Sequence, residues 1–395
     1  MSIFRNSQEE TTNKLPWLGL LALSMAGFIC IMMETVPAGL LPQISEGLNV
    51  SNAYAGQLVT FYALGAIVAV IPVTFATQGL RRKPLFLFAI LLFLIFNSVT
   101  AFSSNYIMTL TARFFAGMGA GIVWSMLTGY ARRMVHQELK GRATAVAMVG
   151  IPIALSIGVP ISTFLGTIIG WRSIFAIMSL LALLLILWII FTLPDFSGNR
   201  EGVRVNLFKV LKIPGIRPVL TLVILWMGSH NILYTYIAVF LASTELSSQV
   251  SAILLLFGIL SLAGIWVTGL FIDKKLRLLV LLSLFIFSCA ALLLQFFAQN
   301  AVIVIIGIVF WGITFGGSAT LIQTALAQAA GEDNVDVATS MSTTVWNIAI
   351  AGGGIVGGIL LDYIGSESFP ITIFLLIIIA LLMVYFNKKY AFPTN

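Results

Sequence analysis

The chain has 395 residues, of which 59% are apolar and 9% charged, against roughly 45–50% and about 25% in an ordinary soluble domain. That ratio excludes a water-soluble globule, and runs such as 85–102 and 371–386 reach the length of about 18 apolar-dominated residues that a membrane crossing needs. The two cysteines, Cys30 and Cys289, both lie inside apolar runs, which excludes a disulfide framework and a Cys-rich metal site. The net charge of +7 would suggest nucleic acid in a soluble protein, and here it has to be read relative to a bilayer instead.

Hydropathy and loop punctuation predict twelve spans, near 17–40, 53–76, 84–103, 106–130, 143–167, 173–193, 217–241, 249–272, 277–297, 302–328, 337–361 and 369–387. Lipid offers backbone groups no water and the runs are about 20 residues, twice the length of a barrel strand, so the spans are helices and a β-barrel is excluded. Pro16 suits a first helical turn, the tail before it carries Glu9 and Glu10, and the first span is longer than the apolar core of a secretory signal. The N-terminal segment is therefore expected to be retained.

Short cytoplasmic loops carry the excess of Lys and Arg. Arg5 and Lys14 precede the first span, and Arg81, Arg82 and Lys83 follow the second. Arg132, Arg133, Lys140 and Arg142 follow the fourth, and Arg200, Arg204, Lys209, Lys212 and Arg217 follow the sixth. Lys274, Lys275 and Arg277 follow the eighth, and Lys388 and Lys389 end the chain. The odd-numbered loops hold only Arg172, and Arg113 lies within the fourth span. This alternation requires an even number of spans and predicts both termini in the cytoplasm. The tenth loop departs from it, carrying Glu332, Asp333 and Asp336 with no base.

The Pro- and Gly-punctuated segment 194–216 reads as a cytoplasmic linker between two six-helix bundles, 1–193 and 217–395. A constant offset of 195 residues places Gly117 on Gly312, Gly121 on Gly316, Ala143 on Ala338, Thr144 on Thr339 and Gly158 on Gly353. Two parallel repeats with a site at their interface near the midplane are a transporter architecture. The predicted fold is an all-α membrane protein of twelve helices in two pseudo-symmetric bundles.

Four stretches carry a family resemblance. The first span contains Glu34-Thr-Val-Pro-Ala-Gly-Leu-Leu-Pro42, and the fourth contains Arg113-Phe-Phe-Ala-Gly117-Met-Gly119-Ala-Gly121. The fifth has Gly150 and Gly158-Val-Pro160 and closes on Gly170-Trp171-Arg172; the seventh has Gly228-Ser-His230-Asn-Ile-Leu-Tyr234-Thr-Tyr236. Together they resemble the major facilitator superfamily, in particular its twelve-span drug:proton antiporter branch with sugar-efflux and purine-efflux carriers. The resemblance covers nearly the whole chain and is specific for the branch rather than for a substrate. The loop signature of that family is well formed in the second half as Gly269-Leu-Phe-Ile-Asp273-Lys274-Lys275-Leu-Arg277, whereas Thr74 and Gln78 replace its Gly and Asp in the first half, before Arg81-Arg82-Lys83. The resemblance implies gating roles for Gly150, Gly158, Pro160, Gly269, Asp273, Lys274 and Arg277.

Glu34 is the carboxylate predicted well inside the hydrocarbon; Asp273 and Asp362 fall near span ends. A lone buried carboxylate is costly when charged, so it takes up and releases a proton as its surroundings alternate between dry and wet, and intramembrane ionisable groups are functional by default. Glu34 is thus the proton-coupling candidate, with Arg113, which keeps its charge, biasing it. The competing reading makes the two a fixed structural pair. Gly117 and Gly121, four apart, suit close helix contact. Gly150, Gly158 and Pro160 give the fifth span a smooth, bendable surface.

His230 and Tyr234 lie one turn apart beside Asn231, a polar and aromatic stripe that should face a cavity rather than lipid. Such a stripe suits hydrogen bonding or stacking on an uncharged, partly polar solute. Trp124, Ser125, Gln323, Trp346 and Asn347 are further substrate-binding candidates on the fourth, tenth and eleventh spans. An intramembrane enzyme would need a nucleophile–base pair or metal ligands near its histidine, and a channel would need a filter or rings of charge; neither pattern is present. The expectation is a proton-coupled exporter of a small organic solute, a sugar, nucleoside or purine, or drug, without a cofactor, working as a monomer by alternating access in a bacterial cytoplasmic membrane. Import by the same fold and broad multidrug efflux are the alternatives.

Overall fold

The computed structural model describes residues 15–70, 76–77, 79–198, 207–331, 334–389 and 391–392. Every regular element among them is helical. The first span, Trp17–Gly39, follows Pro16, whose missing N–H falls where a helix start leaves donors unused. It breaks at Leu40 into the short helix Leu41–Leu48, which has Pro42 in its first turn. The second span, Asn52–Val68, is capped by the Ser51 hydroxyl accepting from the Tyr54 N–H. The third, Arg82–Phe102, is joined by a short loop to the fourth, Tyr106–Arg133, where the Asn105 side chain caps the Met108 N–H at 2.9 Å.

The fifth span is assembled from Lys140–Met148, Gly150–Ile153, a π-helical turn over Ala154–Gly158, and Val159–Ile169, which takes Pro160 in its first turn. The widened turn lies between Pro152 and Pro160, where the ladder loses donors. The sixth span is Trp171–Thr192, and the seventh is Ile216–Thr235, which breaks at Tyr236 and resumes as Ile237–Ala242. Val250–Phe296 is one helical run of 47 residues, about 70 Å at 1.5 Å per residue, more than twice the roughly 30 Å of a hydrocarbon core. Its backbone leaves helical geometry at Lys275 (φ −138°, ψ 30°), so the basic turn Lys274–Arg277 separates the eighth and ninth spans. The tenth bends at Gly317 between Ala301–Gly316 and Ser318–Ala330; the eleventh is Val335–Tyr363 and the twelfth Ser368–Phe386.

Ten of these helical runs are long and apolar enough to cross a membrane. Division of the longest at Lys275 and addition of the second span give twelve crossings in two six-helix bundles. The face onto which Arg81–Lys83, Arg132, Arg133 and Lys274–Arg277 open is called here the basic face, and the opposite one the far face. Thr74 and Gln78, and the acidic pair Glu332 and Asp333, lie outside the described residues.

Small residues set the helix spacing. A Cβ on Gly117 would lie 1.9 Å from the Tyr62 carbonyl oxygen, and one on Gly65 would lie 1.9 Å from that of Phe114, so the second and fourth spans touch backbone to backbone. The halves meet along two seams. In one, the second span lies on the eleventh: Val59, Ala63, Ile350 and Ala351 are buried together, and Gln57 Nε2 donates to Gly354 O at 3.4 Å. Tyr236 seals the far end of that seam by donating its hydroxyl to Gly354 O at 2.8 Å. In the other, Gly258 of the eighth span presses on Leu155 and Ser156 of the π-helical turn.

Candidate functional site

Between the seams lies a cavity of about 190 Å³ whose walls come from both halves. The first half contributes Glu34 and Thr35 of the first span, Val59 of the second, and Ile151, Pro152 and Leu155 of the fifth. The second half contributes Met227, His230, Asn231, Tyr234 and Thr235 of the seventh span, Ser261 of the eighth, Phe315 and Ser318 flanking the tenth-span bend, and Trp346 and Ile350 of the eleventh. Three turns of the seventh helix reach this wall because 227, 230/231 and 234/235 share one face.

Glu34 is the one carboxylate in the lining. Apolar side chains dominate the wall around it, which makes its charged form costly. Arg113 lies within electrostatic reach of it, yet the two form no direct ion pair. The guanidinium is fully buried and is held by donation to the carbonyl oxygens of Met33 and, at 3.4 Å, Leu58, with its Cζ 4.6 Å from the centre of the Tyr62 ring. Tyr62 in turn donates its hydroxyl to Cys30 O at 3.0 Å. The fixed pair that the sequence left open is thus replaced by a cation locked onto backbone one layer behind a separate acid.

On the opposite wall, the His230 ring stacks on Phe315 with centroids 3.5 Å apart and planes 9° off parallel, and on Tyr234 at 5.0 Å. Phe257 and Trp311 complete the cluster, 5.8 and 5.3 Å from His230. The imidazole is 6% exposed and its Nδ1 has no hydrogen-bond partner. Asn231 donates to Met227 O at 2.8 Å, which leaves its side-chain carbonyl as an acceptor. This wall offers flat aromatic faces with polar edges.

Of the substrate-binding candidates, His230, Asn231, Tyr234 and Trp346 line the cavity together with Glu34; Trp124, Ser125, Gln323 and Asn347 do not. The fourth span packs behind the second through Gly117, so Trp124 sits half-buried in packing, and Ser125, exposed and donating to Ile122 O at 2.8 Å, opens into a separate cavity at the basic face. Gln323 shares a helix face with Ala319 but lies one turn nearer the basic face, where it is exposed. Asn347 is rotated about 100° from Trp346, and its amide donates to Thr343 O at 2.9 Å in its own helix. Phe315, Phe257, Trp311, Thr35 and Ser261 were not singled out in the sequence. An aromatic residue directly before Gly316-Gly317 was the available signal for Phe315, because Gly316 brings the tenth span onto the Ser261 carbonyl, at 1.9 Å from an ideal Cβ.

Among the gating candidates, Gly150 lets the fifth span reach the Ser24 carbonyl of the first span, 2.0 Å from where a Cβ would stand, and Gly158 faces Met32 and Phe28. Pro160 restarts the helix after the π-helical turn. At the basic face Gly269, Asp273 and Lys274 are exposed, whereas Arg277 donates to Val384 O, Tyr385 O and Phe392 O at 2.9–3.2 Å and so ties the ninth span to the end of the twelfth. In the first half Arg81 Nε pairs with Asp195 Oδ2 at 2.6 Å, and Asp195 Oδ1 accepts from the Lys83 N–H at 3.0 Å.

The comparisons with known proteins agree with this architecture. Purine ribonucleoside efflux pumps NepI from Shigella sonnei (strain Ss046), Escherichia coli (strain K12) and Shigella flexneri are each 28% identical to the chain over 373 residues, 93% of either sequence. A crystal structure of a D-xylose-proton symporter, 14% identical, superposes with a TM-score of 0.79 over 97% of this chain and 100% of its own, a likeness of fold. The family profile of the Major Facilitator Superfamily matches residues 23–354, and the chain therefore belongs to that superfamily: it is a multi-pass membrane transporter of small molecules.

Proposed function

We propose that this transporter exports a purine-ribonucleoside-like solute in exchange for protons, across a bacterial inner membrane with its basic face in the cytoplasm. The observation that carries the reading is the placement of the His230–Phe315 stack and Glu34 on opposite walls of one interfacial cavity. A planar heteroaromatic base fits a stack of that kind, because base–aromatic contact is worth about 1–3 kcal/mol and tolerates differences in base edge. Polar edges at Asn231, Thr35 and Ser261 suit a ribose. The relatives named as purine ribonucleoside efflux pumps favour the same solute class and direction, and the asymmetry of Lys and Arg between the loops favours the orientation.

In this scheme Glu34 takes a proton from the far side while solute leaves, the halves rock about their two seams, and the acid releases the proton inward as the next solute is captured. The cavity, about 190 Å³, is below the roughly 300–1,000 Å³ of small-molecule sites, so loading requires the halves to part. Arg113, anchored to carbonyls of the first and second spans, supplies a fixed positive field and does not carry the proton.

The test is ligand stabilisation of the purified protein. A solute that binds the folded state raises its melting temperature in proportion to ln(1 + [L]/Kd). Adenosine, inosine and guanosine are expected to raise it, and sugars and lipophilic cations are not. Stabilisation by sugars alone, or by lipophilic drugs alone, would overturn the assignment of solute class.

A further inference from the structure

A second cavity, of about 280 Å³, lies at the basic face of the first half, remote from the solute cavity. Its wall is made by Thr77, the start of the third span at Arg82 and Leu85, the end of the fourth span, and Phe196 of the segment that follows the sixth. Arg82 and Arg133 both line it and lie within electrostatic reach of each other. Two guanidiniums turned to one recess repel, and an anion between them converts that repulsion into attraction on both sides.

Three features fit a phosphate group there. The nearby carboxylate, Asp195, already has one oxygen on Arg81 Nε at 2.6 Å and the other on the Lys83 N–H at 3.0 Å. Arg133 is held in place rather than free to swing away: its Nη1 donates to Ser197 O at 3.1 Å and its plane lies over the Phe196 ring, 4.7 Å from the centre. Tyr130, which donates to Pro194 O at 2.6 Å and packs edge-on against Phe196 at 5.3 Å, fixes the ring on which Arg133 rests. In the repeat-related place in the second half, Arg277 spends its guanidinium on three backbone carbonyls; around Arg82 the chain leaves a recess.

We propose that the Arg82–Arg133 recess binds a phosphate-bearing anion at the depth where a bilayer presents its headgroups. Guanidinium forks match phosphate oxygens bidentately, and basic pockets between spans on a cytoplasmic side take anionic lipid headgroups. Bound there, the anion ties the third span, the fourth span and the segment after the sixth together. The same chemistry can come from a phosphatidylglycerol headgroup or from free phosphate, and the experiment separates them.

The purified full-length protein is reconstituted in nanodiscs of phosphatidylcholine with increasing phosphatidylglycerol, and its melting temperature is followed; a parallel series in neutral nanodiscs receives inorganic phosphate. The variants are Arg133→Gln and its neighbour Arg132→Gln, which removes the same charge from an exposed side chain outside the recess. Wild type and R132Q are expected to be stabilised in at least one series. R133Q is expected to need about tenfold more of the same anion, the size of one charge-assisted contact. Response to phosphatidylglycerol alone assigns a lipid, and response to phosphate in neutral discs assigns a soluble anion. Equal losses in R132Q and R133Q would mean a diffuse surface potential and would overturn the proposal, as would no response of wild type in either series. Should R133Q not fold, Arg82→Gln takes its place with the same expected loss.

Discussion

Replacing Glu34 by Gln keeps the size and polarity of the side chain while removing its capacity to carry a proton. Since Glu34 is the only acidic residue in the wall of the solute cavity, the proposed cycle moves one proton for each neutral solute and therefore one elementary charge. One charge crossing 100 mV is worth about 2.3 kcal/mol, and at 1.36 kcal/mol per decade that supports a solute gradient of roughly fifty-fold. Proteoliposomes holding a potassium-diffusion potential of about 100 mV, with labelled adenosine, are expected to concentrate it about fifty-fold with wild-type protein. With E34Q the ratio is expected to settle at one, while adenosine–adenosine exchange continues because the aromatic wall is untouched. Currents on a solid-supported membrane should give one charge per nucleoside. Accumulation by E34Q, or a wild-type gradient near the square of fifty, would refute the reasoning, the first by removing Glu34 from the coupling and the second by requiring another acid.

Other perturbations separate the parts of the site. Phe315→Ala removes the face against which His230 stacks at 3.5 Å and is expected to weaken nucleoside binding by about 1–3 kcal/mol, read as a Kd by calorimetry, while Phe315→Tyr keeps it. Gly150→Val puts atoms where the Ser24 carbonyl already lies, 2.0 Å from an ideal Cβ; overpacking of about 1–3 kcal/mol should lower the melting temperature in detergent and slow transport. Tyr236→Phe deletes a buried donor to Gly354 O, about 1 kcal/mol, and should shift the population roughly fivefold toward the state open at the far face, measured by spin-label distances between the second and eleventh spans. Asp195→Asn breaks a pair whose Arg81 side is 73% exposed, so the loss of stability should stay within about 1 kcal/mol and vanish in high salt.

The crossings were legible because hydrocarbon imposes a length and a composition on every span, and the repeat was legible because small residues recur wherever two backbones touch. Gly117 illustrates the second point: its role is a contact with the Tyr62 carbonyl, and no larger residue fits. Glu34 could be found as a single acid in an apolar run. The aromatic wall was only half legible. His230 and Tyr234 stand out as polar groups in a span, but Phe257, Trp311 and Phe315 are ordinary membrane residues by composition, and only the bend at Gly317 and the close approach of Gly316 to Ser261 turn them toward His230. Asn347 and Ser125 misled for the converse reason, since a polar side chain can satisfy itself on a carbonyl three or four residues back in its own helix and then needs no cavity.

The division of labour between the halves bears on coupling. The acid, with the arginine behind it, belongs to the first half, while His230, Tyr234, Phe257, Trp311 and Phe315 all belong to the second. A rocking motion about the two seams leaves the aromatic stack intact as a rigid unit and changes its distance from Glu34. A solute that touched the stack alone would bind equally well in every arrangement and shift nothing. In the proposed cycle, therefore, linkage between solute and proton requires a solute long enough to reach both walls, with its planar end on Phe315 and a polar end toward Glu34. A nucleoside has that shape and a free base lacks it, which makes the ribose, rather than the base, the part of the molecule that senses the protonation state of the carrier.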